Sequence, residues 1–383
     1  LLVFVLVAAA CGDDTSDTTQ ATTAAPTTTA DAGGGDTTAP PDTTAPPETT
    51  AAPAGVPDNP DFGVSADTIK IGWMGDATGP TASAQEFNRR GSLAYAAWKN
   101  ANGGVLGRQI ELVIKDDEFN AEKALTNWTS LIEDEKVLAI IHLGGSHIST
   151  ALMPDVGELG IPVVGQPQNI DVQLETPNSY NNIAHYGDEA DVATTRMADG
   201  AGGIENVKVT VVQLELPSGD EWNAYIKDSV EKQGGTYVGR QLLNAGSPDY
   251  TGVVTALGQS IDAGETNYVA FHGAPSHALG TLTEMKTQGV EVPFVGIHGL
   301  AGSTVYTEGQ LTAADVVEGV HSFLPATSDC EGCAIIRDAV AGTEWEDDVG
   351  QINFTHGWID LDLVVQAIER AAANSGELNW DTM

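Results

Sequence analysis

Ser146 and His147 stand side by side in the stretch VLAIIHLGGSHISTAL (137–152), directly after Gly144 and Gly145. Two chemistries suit these residue types. A serine beside a histidine is a nucleophile candidate, provided an acid orients the imidazole and an oxyanion hole receives the developing charge. No Gly-x-Ser-x-Gly elbow surrounds Ser146, and adjacent residues at a helix start point in different directions. The other chemistry is binding. Glycines after a buried strand let a ligand approach the backbone, the N–H groups opening the next helix favour a carboxylate, and the Ser146 hydroxyl adds a donor. A serine that merely caps its helix is the plain alternative.

Histidines raise a third chemistry, because His142, His147, His272, His277 and His298 fall near predicted strand ends. Metal sites show tight ligand spacing or a supporting carboxylate pattern. Here a turn containing Pro275 separates His272 from His277, and no His-x-x-x-His helix pair occurs. No metal and no cofactor is expected.

The elements that must position these residues alternate regularly from Thr68. Continuous apolar runs predict strands at 69–75, 109–118, 137–143 and 161–165. Helices are predicted between them at 83–102, 121–135 and 147–159, with Pro154 a disturbance in the third. The pattern then restarts, with strands at 207–214, 236–244, 267–273 and 292–297 and helices at 219–233, 249–264 and 276–289. In each half a Gly-Gly pair closes the first helix, at 103–104 and at 234–235. Buried strands separated by helices mean parallel sheets covered on both faces. Two such α/β halves put a cleft between them, with ligands expected at the carboxyl ends of the strands.

The first 65 residues follow different rules. Residues 12–65 are dominated by Thr, Ala, Pro, Asp and Gly and lack the apolar side chains that offset ordering entropy, so they read as a disordered tether. Ahead of them LLVFVLVAAA is apolar but too short to span a bilayer, and it fits the core of a secretion signal. The run Val7-Ala8-Ala9-Ala10-Cys11 resembles a bacterial lipobox, which implies lipidation of Cys11 and an anchored protein; an ordinary signal followed by a chance cysteine is the alternative. With no initiator Met or basic leader, residues 1–11 are taken as a clipped signal. Cys330 and Cys333, in SDCEGC, are expected to form a structural disulfide, since neither a thioredoxin-type strand-turn-helix nor two further zinc ligands is visible. Net charge is −38. Nine of the 54 acids and none of the 16 bases lie before Ala66, which leaves 45 acids against 16 bases beyond the tether. Such a surface excludes nucleic acid, whose phosphates demand clustered Lys and Arg.

The segment GDATGPTASAQEFNRRGSLAYAAWKNANGGVLGRQIELVIKDDEFNAEKA, followed by GELGIPVV, resembles the leucine/isoleucine/valine-binding family of ABC-transporter solute-binding proteins. That resemblance implies two Rossmann-like lobes joined by a hinge, the type I periplasmic-binding-protein fold. Placed on this chain, the lobes are 66–187 plus 326–383, and 188–325, and the end at Met383 falls short of the family's usual end. It further implies that Gly145 and Ser146 hold one end of a ligand, with Gln168 and Asn169 in the loop after the next strand. Ala84, Ser218 and Ala274 fall where members of the family place aromatic walls, and Trp222 or Trp358 is the candidate substitute. His298 falls where branched-chain binders carry a glutamate for the ligand's ammonium. An imidazole pairs poorly with an ammonium at neutral pH, so the expected ligand is a small polar amino acid, amide or carboxylate rather than leucine; a mere loop histidine is the alternative for His298. The expectation is a monomeric, non-enzymatic receptor, lipid-anchored outside the cytoplasm, that delivers its ligand to a membrane permease. A ligand-sensing module of a signalling system is the alternative.

Overall fold

The computed structural model describes residues 55–165, 170–297, 300, 317–319 and 323–383. Two five-stranded sheets, all parallel, form its frame. The first contains β1 (Thr68–Gly75), β2 (Gln109–Asp116), β3 (Ala139–His142), β4 (Val163–Gly165) and β5 (Ser179–Asn181), in the order β2-β1-β3-β4-β5. The second contains β6 (Lys208–Leu214), β7 (Thr236–Leu243), β8 (Tyr268–His272), β9 (Phe294–Gly296) and β10 (Val317–Gly319), in the order β7-β6-β8-β9-β10. The second order repeats the first. The strands are buried on both faces because they are continuous apolar runs: Ile69, Ile71, Trp73, Ile140 and Ile141 are all fully enclosed.

Helices fill the connections: α1 (Ala82–Ala101), α2 (Ala121–Thr129), α3 (Ser146–Leu159) and α4 (Ile170–Glu175) belong to the first sheet. The chain then passes through α5 (Tyr186–Ala201) to the second sheet, which carries α6 (Pro217–Gln233), α7 (Tyr250–Asp262) and α8 (Pro275–Gln288). It returns through α9 (Glu331–Val340) and α10 (Ile352–Ser375), and α10 packs along α1. The disulfide Cys330–Cys333 sits at the start of α9. Among the described residues no helix is long and apolar enough to cross a membrane.

Sequence patterning locates most of these elements to within two residues, with two informative differences. The helix expected over 121–135 loses α geometry after Thr129 and widens to a π turn over Ser130–Asp134, closed by the Glu135 N–H on the Ser130 carbonyl. Pro154, expected to disturb α3, lies inside a continuous helix. It cannot donate to the Thr150 carbonyl, yet both residues are on the exposed face of the helix, while Leu152, Met153 and Val156 bury the other face.

The packing of α10 on α1 depends on glycine. A Cβ on Gly357 would come within 1.8 Å of the Asn88 carbonyl oxygen, and one on Gly91 within 2.0 Å of the Phe354 carbonyl oxygen. The two backbones therefore touch, and Ser92 Oγ bridges them by donating to the Gly357 carbonyl at 2.9 Å. Gly357→Ala must push the helices apart and is expected to cost about 1–3 kcal/mol, as overpacking does. Urea unfolding monitored by tryptophan fluorescence checks this; an unchanged midpoint contradicts it.

Candidate functional site

In a parallel sheet ordered 2-1-3-4-5, the connections after strands 1 and 3 leave in opposite directions and open a crevice at the carboxyl edge. Both sheets have that order, so each has one such switch point, flanked by two helix N-termini. In the first sheet these belong to α1 and α3, after β1 and β3; in the second they belong to α6 and α8, after β6 and β8. The structure brings the two pairs together. Ser146 Oγ, in the first turn of α3, donates to Ser218 Oγ, in the first turn of α6, at 2.9 Å, and both residues are fully buried. Ser83 Oγ in α1 meets Ser276 Oγ in α8 at 3.2 Å, on the exposed side. Two sets of backbone N–H groups thus face one another across the gap.

Gly145 makes the first of these turns. It is the N-cap of α3 with φ 106° and ψ 115°, a conformation that suits glycine. A Cβ there would lie 3.2 Å from the Phe119 ring. Phe119 belongs to the loop after β2, where Glu118 and Phe119 both have positive φ (52° and 60°). His147 is held by that loop: its ring meets Phe119 edge-on at 4.6 Å, and Nε2 lies 3.3 Å from the Phe119 carbonyl. Burial lowers the His147 pKa despite that bond. The Ser146 hydroxyl is given to Ser218 and the His147 imidazole to Phe119, so the two do not form a nucleophile–base pair.

Of the residues singled out from sequence, Gly145, Ser146 and Ser218 converge directly. Ala84 lies in the first turn of α1 and Ala274 caps α8, next to the Ser83–Ser276 contact, and both are half-buried. Gln168, Asn169, His298 and Cys11 lie outside the described residues. Trp222 and Trp358 are core residues: Trp222 is fully enclosed beneath α6, 6.3 Å from the Tyr186 ring, and Trp358 packs edge-on against Tyr95 at 5.2 Å. Of the five histidines considered for metal, His142 is stacked 5.3 Å from Trp73 and bonded to Gln85 Oε1 at 3.0 Å. Burial drives its pKa down to about 3, so it is neutral. His277 gives Nε2 to the Ala245 carbonyl at 2.9 Å. Among the described residues no three metal-ligating side chains converge.

Sequence reasoning missed the aromatic and acidic wall behind Ser218. Tyr186, at the start of α5, is fully buried with His272 edge-on at 5.8 Å. Burial raises its pKa well above the ordinary phenol value, and the carboxylates of Glu189 and Glu221 raise it further. Glu189 and Glu221 thus place carboxyl groups beside Tyr186, behind the first turns of α3 and α6, whose N-termini contribute positive potential. The signal available was the Tyr186, Ala190, Ala193, Met197 spacing, a helical stripe muted by its alanines.

Sequence reasoning also missed a buried polar cluster where the chain leaves the first sheet. Asp360 of α10 is wholly enclosed and accepts hydrogen bonds from Asn88 Nδ2 at 2.8 Å and Asn182 Nδ2 at 2.5 Å, with His356 Nε2 at 3.2 Å. Asn88 in turn accepts from the Trp73 indole at 2.9 Å, and Phe323, on the returning segment, stacks 4.7 Å from His356. Burial pushes the Asp360 pKa up, but the facing His356 and the Asn88 amide outweigh it and hold the carboxyl below its usual range.

Two parallel-sheet bodies that meet at their switch points define a bilobal binding fold. The model of the family described as periplasmic binding protein matches residues 68–382, and the chain belongs to that family. A Leucine-, isoleucine-, valine-, threonine-, and alanine-binding protein from Pseudomonas aeruginosa is 26% identical over 267 residues, 69% of this chain and 68% of that one. Among solved structures, a branched chain amino acid ABC transporter protein from Thermus thermophilus with bound valine superposes with a TM-score of 0.71 at 20% identity, covering 82% of this chain and 81% of that one. A fatty acid ABC transporter substrate-binding protein from Thermomonospora curvata does so with a TM-score of 0.73 at 21% identity, covering 86% and 82%. At such identities the superpositions establish the fold alone.

Asp117, beside the Phe119 loop, offers a pH test of the local electrostatics. It is fully buried, among the described residues its Oδ2 has no hydrogen-bond partner, and burial, opposed by the Phe119 N–H and reinforced by Asp76, drives its pKa to about 7. The folded state keeps a proton that the unfolded chain releases, so stability falls as pH climbs from the ordinary carboxylate range to about 7. Asp117→Asn is expected to melt above the wild type at about pH 8.5 and by a clearly smaller margin at about pH 5. Parallel melting curves at both pH values contradict the assignment.

Proposed function

We propose that this protein is the extracytoplasmic solute-binding lipoprotein of an ABC importer, capturing a small polar ligand between its two bodies by hinge closure. The supporting observation is the enclosed Ser146–Ser218 contact, which joins the first turns of α3 and α6 at the two switch points. The lobes in this reading are 66–187 plus 326–383, and 188–325, and the ligand sits between their carboxyl edges. A carboxylate on the ligand is matched by the Gly145–Ser146 turn and the α3 N-terminus. A donor or ammonium on the same molecule is matched by the carboxyl groups of Glu189 and Glu221. Those two demands together favour an amino acid over a hydrocarbon acid, with Gln168, Asn169 and His298 completing the contacts. The closed form presents both bodies to a permease, and ligand shifts the population towards it because only that form touches the ligand from both sides.

The decisive experiment releases whatever co-purifies with the protein by denaturation and identifies it by mass spectrometry, with a thermal-shift screen of amino acids, amides and carboxylates alongside. Ser146→Ala is expected to weaken the selected ligand about tenfold to a hundredfold, the worth of one hydrogen bond to a charged group, while leaving the unliganded melting temperature nearly unchanged. Equal affinity removes Ser146 from the site, and recovery of a chemically altered ligand replaces the receptor with an enzyme. Cys11→Ser is expected to move the protein from the membrane fraction to the medium; retention in membranes argues against a lipid anchor.

A further inference from the structure

The four-residue ring Cys330–Glu331–Gly332–Cys333 is poorly suited to be a staple. A cross-link stabilises by shrinking the unfolded ensemble, and that gain grows with the length of the loop closed, so a bridge spanning three peptide bonds gives the least. The fold around it is also held by other means. The Arg337 guanidinium donates to the Ala326 carbonyl and to the Ser328 carbonyl (2.7 Å), the Cys330 N–H donates to Ser328, and the Ala334 N–H closes the first helical turn on Cys330. None of these bonds uses a sulfur atom.

The two sulfurs differ in surroundings. Cys333 is in the first turn of α9 and only 3% exposed, packed with Ile336 and Val340 on the core side. Cys330 is the N-cap, half-buried, between the exposed Asp329 and Glu331, and its Sγ accepts the Cys333 backbone N–H at 3.1 Å. A thiolate at that position keeps this hydrogen bond and the favourable end of the helix dipole, which stabilises the reduced form relative to the disulfide. An accessible sulfur that becomes a stabilised thiolate, backed by an enclosed partner, is the arrangement of a bond made to be opened and closed.

We propose that Cys330–Cys333 is a thiol–disulfide exchange site, with Cys330 as the reacting sulfur and a small thiol without net negative charge as its partner. The partner's thiolate attacks Cys330 Sγ, forming a mixed disulfide; the Cys330–Cys333 bond breaks, and its electron pair leaves on the Cys333 sulfur, which takes up a proton. A second thiolate then attacks the partner's sulfur in the mixed disulfide and releases the Cys330 thiolate to the helix N-terminus. Two thiols are oxidised to one disulfide, and the protein disulfide is reduced to two cysteines. Asp329 and Glu331 flank the entry and repel anionic thiols, which sets the charge preference.

The test incubates the full-length native chain with cysteamine or with glutathione at equal thiolate concentration, quenches with acid, and maps adducts by peptide mass; Cys11 falls in a separate peptide. The mixed disulfide is expected on Cys330 at least tenfold over Cys333. Cysteamine is expected to react several-fold faster than glutathione, with the ratio shrinking in high salt. Cys333→Ser, whose Cys330 is a free thiol, is expected to exchange with cystamine, the disulfide of cysteamine, releasing one cysteamine and retaining the adduct on Cys330, and the wild-type map stands on its own if that variant misfolds. Reaction only after denaturant is added, equal labelling of both cysteines, or a glutathione rate matching cysteamine overturns the proposal.

Discussion

A charged carboxylate with no exposure to water tolerates no loose end, and Asp360 imposes that condition on the part of the molecule where the chain leaves one sheet for the other. Its oxygens take Asn88 from α1, Asn182 from the start of the crossing, and His356 from one turn earlier on its own helix. Asn88 passes the constraint on to Trp73 in β1, and His356 passes it to Phe323 on the returning segment. Desolvating a carboxylate costs several kcal/mol unless every lone pair is met. The helices α1 and α10, the interior strand β1 and two crossing segments are therefore held in one mutual arrangement. The touching backbones at Gly91 and Gly357 are the steric half of the same constraint, because a wider helix spacing would draw Asn88 away from Asp360.

Much of the frame was legible because buried parallel strands leave a plain trace. IKIGWMG, VLAIIHL and VKVTVVQL are nearly continuous apolar runs, and the restart at residue 207 announced the repeat of order that the two sheets share. Three-residue edge strands such as Ser179–Asn181 gave no trace, being too short and too polar for any period to show. The helix α5 was hidden by its composition: alanine carries the core stripe together with Tyr186 and Met197, and alanine reads as neutral. Asp360 was illegible for a different reason. In GWIDLDLVVQ an acid on an apolar helix face looks like an ordinary solvated charge until Asn88, some 270 positions away, is brought beside it.

The site was legible in part, and along a physical divide. Glycine followed by serine at a strand-to-helix turn is a local pattern with a local cause, so Gly145 and Ser146 could be picked out without knowledge of the fold. Ser218 came from the family resemblance; it opens the helix after the first strand of the second sheet, the place that Ser83 holds in the first. The wall of Tyr186, His272, Glu189 and Glu221 is assembled from two helices and a strand end, and no spacing in the sequence joins those three pieces. Aromatic residues that look available, Trp222 and Trp358, are consumed by the cores.

The hydroxyl contacts between the bodies have a bearing on salt. Ser146 with Ser218 and Ser83 with Ser276 are neutral pairs, so dissolved ions do not screen them as they screen opposed charges. The surrounding surface carries a large excess of carboxylates, whose mutual repulsion ions do weaken. Rising ionic strength thus weakens the repulsion among those carboxylates and leaves the two hydroxyl contacts unscreened.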